Sequence, residues 1–240
     1  MTNRAKFLAI SAATAVSASL LMGSSASGSE ADELQKQINE ALARTEGAQQ
    51  ISSYEIAWDE GRAILAFPRP GEVEAAPSSV AAVRLMAKSA GVKESDIDPT
   101  GETYGVAALS DESGDEIPAD EQGDQTSVDP MKADTCPTQA FGDDWYCFYQ
   151  KKYFEGRRLQ WQGRYDDKKV YFEKYDFRNR TSGYSNKSGK KIYTYDYERA
   201  SPGVPNVYTC TNHLWTEDPH ERSSSLPAYL DDAADCFKTN

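Results

Sequence analysis

Apolar positions return in different rhythms along the chain, and each rhythm predicts an element. From Ser29 to Gly47, Leu34, Ile38 and Leu42 recur every fourth residue, and Ser29 with Asp32 has the spacing of a capping box. A helix with a narrow apolar stripe is expected there. Between Ile51 and Pro68, two apolar runs flank Trp58-Asp59-Glu60-Gly61, the signature of a β-hairpin with Gly61 in its turn. From Ser78 to Ala90 the helical rhythm returns. Val80, Val83, Met86 and Ala90 share a face, Pro77 and Ser78 precede it, and Gly91 suits the left-handed position that ends a helix. Together these segments predict a small α/β unit with a modest core.

The rhythm then disappears. Ser110 to Pro130 carries eight acids, no base and almost no bulky apolar side chain. Such a composition does not repay the entropy of ordering, and its like charges favour extension, so an acidic disordered linker is expected over 110–135. From Cys136 the apolar residues gather in short aromatic and β-branched runs: Trp145–Tyr149, Arg158–Trp161, Val170–Phe172, Lys191–Tyr195 and Asn206–Cys210, separated by Gly, Asp, Asn and Pro. Short strands at this spacing fit a compact sandwich or barrel.

The first residues form a different pattern again. Arg4 and Lys6 precede an apolar run rich in Ala and Ser from Phe7 to Met22, and small residues follow from Ser24 to Ser29. That is the layout of a secretory signal peptide, expected over 1–29. The run is too short and too rich in small residues for a retained span of about 20 strongly apolar residues. No membrane span is therefore expected in the mature protein, which is read as extracellular.

Charge sharpens the division of the chain. Residues 29–135 hold 23 acids against 8 bases, whereas 136–240 hold 15 against 16. The second part also holds all four cysteines, both histidines and twelve of the fourteen tyrosines. A net charge of −12 argues against a nucleic-acid partner, because phosphate binding needs a basic face. In an exported chain, Cys136, Cys147, Cys210 and Cys236 read as disulfides. Three pairings are open, of which Cys136–Cys147 with Cys210–Cys236 makes two non-crossing loops.

Two segments of the β region share a motif. Tyr149-Gln-Lys-Lys-Tyr-Phe-Glu-Gly156 and Tyr195-Asp-Tyr-Glu-Arg-Ala-Ser-Pro-Gly203 each run from an aromatic strand residue to a glycine. This is the pattern of a folded-over hairpin with glycine at positive φ. The motif resembles the Greek key of βγ-crystallins. Five further pieces extend the likeness: CPTQAFGDDWYCFYQ, YFEGRRLQW, YDFRNRTSGYSNKSGKKIYTYD, HLWTEDP and YLDDAADCF. Together they resemble peptidase inhibitor family I36, crystallin-like secreted inhibitors, across residues 136–237. The segment NEALARTEGAQQISSYEIAWDEGRAILAFPRPGE is similar to the N-terminal extension of longer members. The resemblance implies inhibition of an extracellular protease, with a metalloprotease as the expected partner of a monomer. It also implies structural roles for Tyr149, Phe154, Gly156, Ser182, Tyr195 and Gly203. Crystallin calcium sites need paired Asp or Asn ahead of a Ser. Here Phe177 and Arg178 stand ahead of Thr181-Ser182, and Cys236 closes the frame that begins at Asp231-Asp232. No metal or other cofactor is expected.

Catalytic constellations are weak. His213 and His220 flank Glu217, but Pro219 forbids a regular helix across them, and two surface histidines in a loop suffice. Ser182 and Ser223–Ser225 lie in no nucleophile elbow. The pairs Asp143-Asp144 and Asp231-Asp232 are ordinary loop acids unless they face one cleft. Trp145, Trp161, Tyr171, Tyr184 and Trp215 offer rings for sugar stacking, yet alternating strand aromatics are more simply core. A non-enzymatic binder is therefore expected. Its candidate inhibitory loops present Phe141, Asp143 and Asp144, or Leu214, Trp215 and Glu217, to a protease cleft. A cell-surface or carbohydrate-binding module is the alternative, favoured if exposed aromatics line up on one sheet face, and a secreted hydrolase is the second. The expected fold is mainly β: a crystallin-like Greek-key domain over 136–240, preceded by a small α/β region over 30–109 and the linker.

Overall fold

In the computed structural model, residues 26–93, 134–137, 145–163, 168–199 and 208–240 are described. The signal peptide is thus almost wholly outside the described residues, as are the acidic stretch 110–130, Phe141, Asp143, Asp144 and Gly203.

The two predicted helices and the hairpin form, but the first helix begins before Ser29, so Ser29 lies inside it and not at its cap, and a further strand precedes the hairpin. Helix α1 (Ala26–Arg44) is followed by strands β1 (Gln49–Ser52), β2 (Glu55–Trp58) and β3 (Ala63–Ala66) and by helix α2 (Val80–Ser89). The Ser79 side chain accepts from the Ala82 N–H and caps α2, and Gly91 follows the helix at φ +75°. Gly61 ends the turn between β2 and β3 at φ +92°, where it lies against Leu85 of α2. After the acidic stretch come β4 (Trp145–Tyr149), β5 (Arg158–Gln162), β6 (Val170–Tyr171) and β7 (Gly183–Asn186). The last strands are β8 (Ile192–Arg199), β9 (Tyr208–Glu217), β10 (Arg222–Ser223) and β11 (Cys236–Thr239).

All pairings between these strands are antiparallel, and they build two sheets. One has seven strands in the order β1-β2-β3-β5-β4-β7-β10, and the other has four in the order β6-β11-β8-β9. The expectation of a mainly β, crystallin-like Greek-key domain is corrected by this order. The fold is mixed α/β, and among the described residues its two sheets are open, in place of a closed β-sandwich. The crystallin and peptidase-inhibitor descriptions lose the structural basis that the resemblance gave them. The N-terminal strands also continue the C-terminal sheet. β3 pairs with β5 from Ala63↔Trp161 to Ala66↔Arg158, so residues on both sides of the acidic stretch share one sheet.

Period-2 alternation assigns the faces. Ile56, Trp58, Leu65, Phe67, Tyr146, Phe148, Leu159 and Trp161 point to an inner layer, where they meet Ile38 and Ala41 of α1, Phe172 just after β6 and Phe237 of β11. Trp161 lies 4.7 Å from Phe237 and 5.1 Å from Tyr175, both edge to face. Ala57, Ile64 and Trp145 point the other way, onto Ala82, Val83 and Met86 of α2. Covered on both faces, β4 and β5 are buried throughout, polar residues included. Arg158 is wholly buried; its Nε donates to Gln160 Oε1 at 2.9 Å and its Nη1 to Thr135 Oγ1 at 2.5 Å. The disulfides join Cys136 to Cys147 and Cys210 to Cys236, the non-crossing pairing. Among the described residues, no helix is long and apolar enough to cross a membrane.

Candidate functional site

The outer face of the four-stranded sheet carries an aromatic row. In β8, Ile192 and Thr194 point into the core, so Tyr193, Tyr195 and Tyr197 point outward and are half-buried. Successive outward positions on a strand lie about 7 Å apart, which sets the three phenols in a line. Residues directly opposite on neighbouring strands share a face. Pairing of Tyr193 with Lys238 and Thr216, and of Tyr195 with His213, therefore completes the surface, while Cys236, also opposite Tyr195, is buried beneath it. Tyr171, opposite Cys236, joins from β6. Its ring lies 6.1 Å from that of Tyr197, and the exposed Tyr208 lies 6.3 Å from Tyr197 on the other side. His213 meets Tyr195 at 5.6 Å and Tyr193 at 6.5 Å, and its Nε2 is 3.0 Å from Thr216 Oγ1. The Cys210–Cys236 disulfide ties β9 to β11 beside this row.

Each of the three β8 tyrosines has a cation over its ring. Lys238 Nζ is 5.6 Å from the Tyr193 centroid, Lys169 Nζ 4.7 Å from Tyr195, and the Arg178 guanidinium 4.3 Å from Tyr197. The charges are not balanced evenly along the row. Arg178 is paired with the buried Asp235 carboxylate at 2.7 Å, and the Tyr197 phenol is pushed above its ordinary range by burial and by its hydrogen bond with Glu173. At the other end, Lys169 donates to the Cys210 carbonyl, and partial burial followed by repulsion from Lys238 lowers its pKa. No carboxylate among the described residues pairs with Lys169 or Lys238.

The residues proposed for an inhibitory loop sit elsewhere. Phe141, Asp143 and Asp144 lie outside the described residues. Leu214 is partly buried against the core. Trp215 is only 8 % exposed and stacks on Tyr184 at 6.3 Å. Glu217 is fully buried, and its Oε1 accepts from Trp215 Nε1 at 3.1 Å. Neither Trp215 nor Glu217 has the exposure of a surface anchor. His213 belongs to the tyrosine row and His220 to a turn at φ 60°, its N–H donating to Ser188 O. Ser182 Oγ donates to the Gln150 carbonyl, with no histidine beside it. Tyr149 packs on Phe154 at 5.0 Å, and Gly156 closes that fold-back at φ +72°. At the second acidic frame Lys152 pairs with Asp231 at 3.2 Å. Among the described residues, no group of three His, Cys, Asp or Glu side chains is placed to hold a metal ion.

Three of the aromatics first considered for sugar stacking, Trp145, Trp161 and Trp215, are core, and Tyr184 is buried with them. Only Tyr171 reaches the outer face. The row itself was carried by Tyr193-Thr-Tyr-Asp-Tyr197, a strict period-2 tyrosine repeat whose intervening residues are small or polar. A cleft of about 400 Å³ lies between α1, the 68–73 turn and the first fold-back, and Glu30, Glu33 and Glu72 face Arg69, Lys151 and Arg157 around it. Its mixed charge selects no ligand sign. Comparison with known proteins gives no match: no family model matches the chain, and neither curated proteins nor solved structures yield a similar one.

Proposed function

We propose that this is an exported, non-catalytic carbohydrate-binding protein whose ligand lies along the tyrosine row of the four-stranded sheet. The observation that carries this reading is the collinear set Tyr193, Tyr195 and Tyr197, flanked by Tyr171 and Tyr208 on one sheet face. Aromatic rings held by a sheet offer flat apolar surface at little entropic cost, and their hydroxyls supply the few oriented polar groups that a sugar needs. Export is supported by the basic, apolar and small-residue order of 1–29 and by two disulfides within one chain.

The test is affinity electrophoresis of the full chain through gels containing soluble polysaccharides, with Tyr195→Ala as the paired variant. Retardation by at least one polysaccharide is expected, weakened about tenfold or more in the variant if its ring carries one good stacking contact. A chain unretarded by every polysaccharide tested overturns the reading. Peptidase inhibition, implied by the resemblance, is put to the same protein by stoichiometric titration against a thermolysin-like and a subtilisin-like protease. A sharp end point there, without retardation in the gels, makes inhibition the function instead.

A further inference from the structure

We infer that the carbohydrate is an acidic one, a polyuronate chain with a carboxylate seated between Lys169 and Lys238 at the Tyr193–Tyr195 end of the row. The inference rests on the proposed function and adds the chemical class of the ligand. The surrounding charge carries it. The chain as a whole is strongly acidic, at −12, and a face evolved only to be solvated needs no concentration of cations. Yet three cations stand over three adjacent tyrosines. Arg178 is already neutralised by Asp235. Lys169 and Lys238 stand over the neighbouring rings of Tyr195 and Tyr193, where their charges repel, and no carboxylate among the described residues pairs with either.

Two like charges held together on a half-buried surface are costly until an anion joins them, and the anion gains from both. The ligand must also have a flat face of C–H groups to lie on rings spaced about 7 Å apart along β8. A uronic acid polymer meets both demands, because every pyranose ring brings its own carboxylate. A neutral glycan leaves the two ammonium groups without a counter-ion. An acidic peptide answers the charge but has no rigid face for the rings. In the free protein the two lysine side chains lie over the tyrosine rings. Their flexible stems let the ammonium groups swing toward the carboxylate while the rings are uncovered for the sugar.

Full-length protein is titrated with polygalacturonate, a neutral galactan and poly-glutamate, each at low and at high salt. The Lys169→Gln/Lys238→Gln double variant is measured beside it. Polygalacturonate is expected to bind most tightly, about tenfold or more above the neutral galactan, and to lose that advantage both in the double variant and in high salt. Equal binding of the two polysaccharides, unchanged by the lysine substitutions, overturns the acidic assignment while leaving the tyrosine row as a glycan surface. Poly-glutamate binding as tightly as polygalacturonate overturns it as well, since charge alone would then suffice. Binding of neither polysaccharide removes both inferences. The salt dependence of the unaltered protein gives a reading even if the double variant folds poorly.

Discussion

At the scale of single residues, the least expected group is Glu217. In sequence it stands between two histidines and reads as a surface acid, but it lies fully buried beside Trp215. Burial, above all, and the neighbouring Glu221 carboxylate hold its carboxyl well above the ordinary range, against the hydrogen bond from Trp215, which favours the ion. The Thr194 side chain also hydrogen-bonds the carboxyl and favours the ion, but burial outweighs both contacts and keeps the group neutral in the fold. Because the native value is raised, the folded state keeps a proton that the unfolded chain gives up. This contribution is complete below the ordinary carboxylate range and is lost as pH rises toward the native value, at a limiting slope of about 1.4 kcal/mol per pH unit. Glu217→Gln keeps an acceptor for Trp215 and removes the titration. Urea unfolding across acid to neutral pH should therefore show the variant gaining on the parent protein as pH rises. Parallel curves would show that Glu217 does not titrate in this way. Comparing the two proteins cancels the contributions of the exposed Asp232 and the buried Asp235, whose pKa values are also raised.

At the scale of elements, the turn between β2 and β3 couples the sheet to α2. A Cβ added at Gly61 would stand 2.7 Å from Leu85 Cβ and 3.1 Å from its carbonyl carbon, at a backbone φ of +92°. Gly61→Ala combines a left-handed cost with overpacking against a helix that cannot retreat from the sheet, and it should destabilise by about 2–4 kcal/mol. An unchanged denaturation midpoint would mean that α2 is free to move. This hairpin and α2 were legible in the sequence, because local rules fix them: a glycine turn between apolar runs, a capping serine, and a glycine after the last helical residue. The fold-back from Tyr149 to Gly156 was legible for the same reason. β5 was only half legible. Arg158, Gln160 and Gln162 alternate with Leu159 and Trp161, which reads as a strand with one face in water. Instead, Gln160 Nε2 meets Met86 Sδ at 3.6 Å, and Ser89 Oγ donates to Gln162 Oε1 at 2.6 Å. The polar face is covered by a helix from the other side of the acidic stretch, and no local pattern records that. The tyrosine row was present as a period-2 repeat, but its outward direction depends on which face of β8 meets Phe237 and its neighbours.

At the scale of the whole molecule, the pairing of β3 with β5 decides what counts as a folding unit. The sequence suggests a cut near residue 135, with a self-sufficient disulfide-bonded domain after it. The register from Ala63↔Trp161 to Ala66↔Arg158 instead makes β5 an interior strand. Trp58 packs edge to face on Tyr175 at 5.2 Å, and Arg157 stands 5.6 Å over the Phe67 ring, so the inner layer is also shared. Without residues 26–93, β5 would become an open edge, and Arg158 would lose the Glu55 carboxylate that favours its charge. A fragment of residues 134–240 tests this cleanly. It retains Asp134, whose carboxylate pairs with Lys187 at 3.0 Å and Arg222 at 3.3 Å, and it keeps both disulfides. Compared with the full chain it should unfold at lower urea and with a weaker near-ultraviolet tryptophan signal, and adding residues 26–93 as a separate chain should restore part of both. A fragment with the full chain's midpoint would show that the four C-terminal strands of the larger sheet and the smaller sheet suffice. The N-terminal strands would then be an addition to a finished domain. Recovery on mixing would instead make the N-terminal segment a structural half of the protein, and the tyrosine row a surface that depends on both.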